Sequence, residues 1–193
     1  MRSSTLVALV TVTLMLLLAS SHCAEWADKY PLCMHPFVNP VSMTSSPAQI
    51  QIEKFMGKWF EIARFASHYH ETGCVCFDKT YSLNPEGYIN VEEVCKKEDS
   101  TTRSSKPRAY SRNPQNSKIE VYYNPHFKMN FWILDIGEQY EWVAVGEPCM
   151  KMGWILARNQ NPSKTVIEGA VKLFGKKGYD VSSITYRPAD CKI

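Results

Sequence analysis

No Asn-x-Ser/Thr sequon occurs in the chain. The one near miss, Asn161-Pro162-Ser163, carries proline in the middle. Also absent are a Gly-x-Ser-x-Gly elbow, a glycine loop to cradle phosphates and a Cys-x-x-Cys pair. These absences remove the serine-hydrolase, nucleotide-phosphate and thioredoxin-type readings. Charge is nearly balanced: +3 over 193 residues, or +2 once Arg2 is removed with a leader. So small a net charge argues neither for nucleic acid nor for an acidic partner. Lys106, Arg108 and Arg112 lie close in sequence and read as a solvated face. Internal repeats and low-complexity tracts are missing. Beyond the N-terminus no apolar run is long enough to span a bilayer as a helix.

What is present begins with a leader. Arg2 gives a positive start, Leu6 to Leu18 carries no charge, and the small residues Ala19, Ser20 and Ser21 follow. The apolar run falls short of the ~20 residues needed to cross a membrane, so residues 1–21 read as a signal peptide, with cleavage as late as residue 23. A lipid anchor at Cys23 is the alternative, which His22 fits poorly. The expected location is extracellular, or the lumen of the secretory pathway. Without Cys23, six of the seven cysteines remain, an even number suited to disulfides in an oxidising space.

At 45% hydrophobic and 12% aromatic residues, the chain can build one domain with a substantial core. Residues 22–50 carry four prolines and no steady period, which predicts an irregular arm. From residue 51 to 193 a single folded domain is expected. Period-2 alternation predicts strands over Lys58–Phe65, Cys74–Leu83, Tyr88–Cys95, Ile119–Tyr123, Asn130–Ile136, Glu141–Val145 and Gly153–Arg158, with a weaker one over Arg108–Arg112. Residues 98–106 are polar and resist placement. Asn84-Pro85-Glu86-Gly87 marks a hairpin. One helix interrupts the pattern, over about residues 162–176. Asn161 would cap it, Pro162 would open it, and Gly175 or Gly178 would end it. Ile167, Ala170, Val171 and Phe174 form its apolar stripe, and Lys172, Lys176 and Lys177 crowd its end. Short strands at even spacing with one late helix indicate an all-β, antiparallel barrel or sandwich with the helix packed outside.

Gly57-x-Trp59 in "GKWFEIARF", Asp135 and Tyr140 in "LDIGEQY", and Arg158 in "WILARNQNP" resemble the three motifs of the lipocalin family. The first stretch is similar to bacterial outer-membrane and plant temperature-induced members, the last to apolipoprotein D-like ones. The cysteine pattern, with the ending "GYDVSSITYRPADC", is similar to plastid members. The resemblance runs from about Cys33 to Cys191. It implies an eight-stranded up-and-down barrel with one closed end and one open mouth, wide enough for one small ligand. Trp59 would plug the closed end, with Arg158 over its ring. The middle motif departs from the family by a turn about two residues longer.

The resemblance also implies disulfides Cys33–Cys149 and Cys76–Cys191, as in apolipoprotein D-like members. That leaves Cys74 and Cys95 for each other. Their hairpin register does not set them directly opposite, so a bulge, or an exchange between Cys74 and Cys76, stays open. His68, His70, Cys74 and Cys76 could make a zinc set, but a secreted chain favours oxidised thiols, and neither a metal nor a cofactor is expected. In a lipocalin the His68–Glu71 loop overhangs the mouth, where its histidines could touch ligand.

Alternation places Trp59, Glu61, Ala63 and Phe65 on one face. If Trp59 points inward, so does the Glu61 carboxylate, which needs a partner or a proton when buried. It is either a structural partner for a lysine or tyrosine, or an anchor for a ligand headgroup. Tyr81 matches an inward tyrosine of the family and brings Phe77 and Lys79 to its face. Parity adds Val91, Glu93, Val121, Tyr123, Phe131, Ile133, Val143 and Trp154. Glu61 and the uncharged members of this set are the candidate ligand contacts, with core packing as the alternative for each.

A secreted carrier of a small hydrophobic molecule is the expected function: a fatty acid or other lipid, a sterol, a retinoid or a tetrapyrrole. One alternative is an interaction or pigment-coat protein assembled through exposed aromatics such as Trp142, and homo-oligomers or membrane-surface contact would go with it. A lipocalin-type enzyme acting through Glu61 with Tyr81 or Lys79 is the third reading. No catalytic residue is assigned.

Overall fold

The computed structural model describes residues 49–65, 73–148, 150, 152–191 and 193. The leader, the arm up to residue 48, the His68–Glu71 loop and the Cys33–Cys149 bridge lie outside the described residues. A short helix, α1 (Ile52–Phe55), precedes nine consecutive strands: β1 (Gly57–Phe65), β2 (Cys74–Leu83), β3 (Ile89–Lys97), β4 (Thr102–Ser105), β5 (Arg108–Ser111), β6 (Lys118–Asn124), β7 (Phe127–Ile136), β8 (Trp142–Gly146) and β9 (Gly153–Ala157). Helix α2 (Lys164–Lys176), a 3-10 turn (Val181–Ser183) and β10 (Ile184–Tyr186) complete the chain.

The strands pair antiparallel in chain order, and β9 returns to β1, with Phe60 opposite Ala157 and Arg64 opposite Trp154. The sheet is thereby closed into an eight-stranded barrel, with β4 and β5 together filling the fourth position. Pro107 explains the break between those two. It has no N–H to give to a ladder, and its carbonyl accepts from Val91 N at 3.1 Å instead. The polar stretch 98–106 thus supplies β4, which pairs with β3 from Glu93↔Ser105 to Lys96↔Thr102. Strand β10, unforeseen in the sequence, takes the edge of β1 that β2 leaves, with Ala63 opposite Tyr186.

The core has two layers. One lines the barrel interior: Ile50, Phe55, Trp59, Tyr81, Ile89, Val91, Ala109, Ile119, Val121, Phe131, Ile133, Val143, Val145, Trp154 and Leu156. The other lies between the barrel wall and α2 and includes Ile62, Phe65, Leu134, Ala144, Ile155, Ala170, Phe174 and Tyr179. Trp142 packs against this second layer and is half-buried, so it is not the exposed aromatic that the sequence suggested.

Simple alternation fails on β1. Its register against β9 slips between Glu61 and Ala63, which makes Ile62 the extra residue of a bulge. The slip reverses the inward and outward sense of the residues after it. Ala63 and Phe65 therefore join the layer under α2, not the face of Trp59.

Ser163, not Asn161, caps α2. Its Oγ accepts from Val166 N at 3.3 Å, and the first helical residue is Lys164. At the other end Gly178 takes φ +92°, its N–H donates to Gly175 O, and Tyr179 N–H donates to Phe174 O. That is a Schellman ending, available to Gly178 because it has no Cβ. It turns the Tyr179 ring onto Phe174, with centroids 4.8 Å apart.

Candidate functional site: the barrel interior and its closed end

At the closed end Trp59 Nε1 donates to Phe55 O at 2.8 Å, and the Phe55 ring lies 5.2 Å from the Trp59 ring and 5.1 Å from Tyr81. The last carbonyls of α1 have no partners within so short a helix, and Arg158 supplies them. Its Nη2 donates to Lys54 O at 2.8 Å and Met56 O at 2.7 Å, its Nη1 to Lys58 O at 2.7 Å, and its Nε to Tyr140 O at 3.3 Å. The same guanidinium sits 3.9 Å from the Trp59 ring centroid. Gly57 has two reasons to be glycine. Its φ is +93°, and a Cβ would come within 3.3 Å of the Arg158 Nη1. In the longer β7–β8 turn Tyr140 adopts φ +57°, and its hydroxyl accepts from Gln51 N at 2.8 Å, while Asp135 is exposed. The turn therefore fastens the segment that enters α1.

Higher in the barrel the lining becomes charged. Lys79 Nζ donates to Glu93 Oε1 at 3.0 Å, and both side chains are almost fully enclosed. Tyr123 Oη donates to the same oxygen at 3.0 Å, and Ser105 Oγ donates to Glu93 Oε2 at 2.7 Å. Three rings surround the Lys79 ammonium: Phe77 at 5.1 Å, Trp154 at 5.5 Å and Phe131 at 5.6 Å. Among the described residues its one hydrogen-bond acceptor is Glu93. Burial opposes its charge, but the neighbouring Glu93 carboxylate prevails and raises its pKa above the ordinary lysine value. Burial likewise pushes the Tyr81 and Tyr123 hydroxyls up, so both stay protonated donors.

Glu61 is buried as parity predicts, and its partner is Arg64, whose Nε donates to Oε1 at 2.9 Å. An i,i+3 pair cannot share a face on a regular strand. The bulge at Ile62 permits it by returning Arg64 to the side of Glu61. Arg64 Nη2 also donates to Cys74 O at 2.9 Å. Burial raises the Glu61 pKa above 4.5, against the pull of Arg64 and Lys79. A carboxyl whose pKa is higher folded than unfolded favours the folded state below the unfolded pKa. That contribution is lost as pH rises through the folded pKa. The difference in unfolding free energy between the native chain and Glu61→Gln is therefore expected to fall as pH rises above about 4.5. Urea midpoints of both proteins across pH 4 to 7 measure it, and a difference that rises or stays flat would overturn this assignment.

Of the candidate ligand contacts, Tyr81, Val91, Val121, Phe131, Ile133, Val143 and Trp154 lie in the interior layer, Tyr123 packs against it, and Phe77 flanks Lys79. Phe131 and Trp154 stack at 5.9 Å. The sequence reading missed Arg64 and Ser105. Arg64 depends on the bulge, which alternation cannot signal, and Ser105 on a strand that polar composition concealed.

Outside the barrel, Cys74 bonds Cys95 and Cys76 bonds Cys191. A register slip between Cys74 and Cys76 makes the first bridge reachable. Next to it the tail is pinned by Arg187, whose Nη1 donates to Asp78 Oδ1 at 2.8 Å, with Lys58 on the other carboxylate oxygen at 3.0 Å. A separate open groove of about 540 Å³ between α2 and β10 is lined by Val171, Lys172, Gly175, Val181 and Tyr186. It shares no residue with the interior. No cluster able to hold a metal occurs among the described residues.

A barrel closed at one end by a tryptophan under an arginine, with a mixed aromatic and charged interior, defines a lipocalin-type protein. Residues 50–189 match the model of the Lipocalin-like domain, and the chain belongs to the lipocalin family. It is 28% identical to temperature-induced lipocalin-1 of Arabidopsis thaliana, over 72% of this chain and 79% of that one. It is 27% identical to the outer membrane lipoprotein Blc of Escherichia coli strain K12, over 69% and 76%. Among solved structures, insecticyanin from the tobacco hornworm Manduca sexta superposes with a TM-score of 0.60 at 15% identity, covering 76% of this chain and 84% of that one. At that identity the likeness is one of fold.

Proposed function

We propose that this lipocalin is a secreted, non-enzymatic carrier that takes one small hydrophobic molecule into the barrel, polar end toward Lys79 and Arg64. The observation that carries the reading is the Lys79 ammonium, enclosed by Phe77, Phe131 and Trp154 and bonded to Glu93 alone among the described residues. An ammonium has three N–H groups, so two remain for a carboxylate, hydroxyl or carbonyl entering from the mouth. The rings offer apolar surface worth about 25 cal/mol per Å² buried, before ordering costs. A fatty acid, a retinoid, a sterol or a tetrapyrrole meets this description, and an acid meets it best. The disulfides suit an oxidising compartment.

Tryptophan fluorescence tests the proposal. The oxidised protein is titrated with palmitate, cholesterol, retinol and biliverdin. Saturable one-to-one quenching is expected, strongest for the carboxylates and reduced in Trp154→Phe. A flat response to all four would sink the carrier reading and favour an interaction protein whose interior is only core.

A further inference from the structure

The outer wall of the barrel opposite α2 carries an arrangement that the carrier function does not use. Ala109 points into the core, so Arg108 and Tyr110 point outward. The Arg108 guanidinium lies 4.7 Å from the Tyr88 ring centroid, and Arg112 lies 5.2 Å from Tyr110 and 5.8 Å from Tyr122. Lys128 reaches Tyr122 from the next strand at 5.8 Å. The three tyrosines touch in series, Tyr88 to Tyr110 at 5.9 Å and Tyr110 to Tyr122 at 5.6 Å. Arg108 and Arg112, read from sequence with Lys106 as a solvated face, therefore belong to a cross-strand ladder in which each ring carries a cation.

The acid inside this ladder is Glu120. Arg112 Nε and Tyr122 Oη each donate to Glu120 Oε2 at 2.8 Å, and Lys128 Nζ bonds Oε1. Burial works against its ionisation, but these bonds hold its pKa down at about 2. One fixed anion thus orders two cations whose side chains are still 46% exposed. Arg108 differs from both, since no acid among the described residues pairs with it. Stacking on Tyr88 leaves its fork of N–H donors facing outward, preset for a bidentate oxyanion.

We infer that this wall, centred on Arg108, Arg112 and Lys128, binds a linear sulfated or carboxylated polysaccharide. Three observations choose that partner over other anions. The tyrosine faces are already covered by the protein's own cations, so they offer no platform for stacking nucleobases. Among the described residues the exposed large apolar ones are Leu83, Val181, Tyr186 and Ile193, and none is on β5, β6 or β7, so nothing here would insert into a lipid surface. The wall is convex and fully paired from β5 to β7, with neither a groove for an anchoring side chain nor a free edge for an added strand. A repeating oxyanion needs none of these. It needs fixed cations spaced along an open face. Arg108 and Arg112, four residues apart along extended chain, lie about 13 Å from each other.

The test uses the oxidised full-length protein and a heparin dodecasaccharide, titrated calorimetrically at several NaCl concentrations. Saturable binding that weakens with salt is expected. Arg108→Gln combined with Lys128→Gln should lower affinity by about tenfold or more and reduce the salt slope by about one unit per cation removed. Lys164→Gln with Lys172→Gln removes the same charge from α2 and should change affinity less than about twofold. Equal losses from both double variants would reduce the effect to net charge and overturn the assignment. So would equal binding of oligo-dT or polyglutamate, or no binding by the native protein. An unchanged urea midpoint in each variant shows that the barrel is intact, whether or not it takes a ligand.

Discussion

Lys79→Met is expected to lower the unfolding free energy by about 3–5 kcal/mol, because it removes one partner of a buried ion pair and leaves Glu93 without its ammonium. Tyr123 and Ser105 would still donate to that carboxylate, which moderates the loss without supplying charge. Adding Glu93→Gln removes the stranded charge and should recover about half of the deficit. Urea denaturation of the native, single and double variants, under oxidising conditions, forms the cycle. Should the single variant lose less than about 1 kcal/mol, water must reach the pair and it behaves as a surface bridge. The same variants bear on ligand choice. A carboxylate ligand that Lys79 recognises loses affinity in Lys79→Met, whereas an uncharged sterol should be little affected.

The second large effect belongs to Arg158. Arg158→Ala should cost about 3–4 kcal/mol, since hydrogen bonds from a charged group contribute roughly 1.5–3 kcal/mol each but do not add when they share one guanidinium. The variant strips donors from the carbonyls of Lys54, Met56 and Lys58 together and removes the cation from the Trp59 ring. Arg158→Lys should recover little, because one ammonium cannot span the fork of acceptors. Differential scanning calorimetry reads the loss. A shift of less than about 2 °C in Tm, which is no more than about 1 kcal/mol produces in a chain of this size, would show that water largely replaces the guanidinium.

Much of this architecture was legible because a barrel wall writes its two faces into alternate residues. Val91, Val121, Phe131, Ile133, Val143 and Trp154 follow from parity and Tyr81 from the family resemblance, and all lie in the interior layer. Parity failed where the backbone inserts a residue. At Ile62 it misplaced Ala63 and Phe65 and hid Arg64, the partner that Glu61 was expected to need. It was silent where strand and loop share a composition, as at Thr102–Ser105. The helix start was misread because Asn161 and Ser163 are both good caps, and the chain uses the later one. The tyrosine ladder was illegible for another reason. Its rings come from three separate stretches, and only the registers of β3, β5 and β6 bring them together.

The two outer disulfides differ in span, 21 residues for Cys74–Cys95 and 115 for Cys76–Cys191. A growing chain emerges at roughly 5–20 residues per second, so Cys76 waits on the order of ten seconds for its partner while Cys74 and Cys95 are already together. During that interval Cys76 is a nascent thiol two residues from a formed bridge, placed to attack it. Arg158 is also still unmade when Lys54, Met56 and Lys58 emerge, so the barrel cannot yet close on its first strand. Arrival of the tail removes that idle sulfur, and a chain truncated before Cys191 is expected to mature as a mixture of isomers, read by peptide mapping.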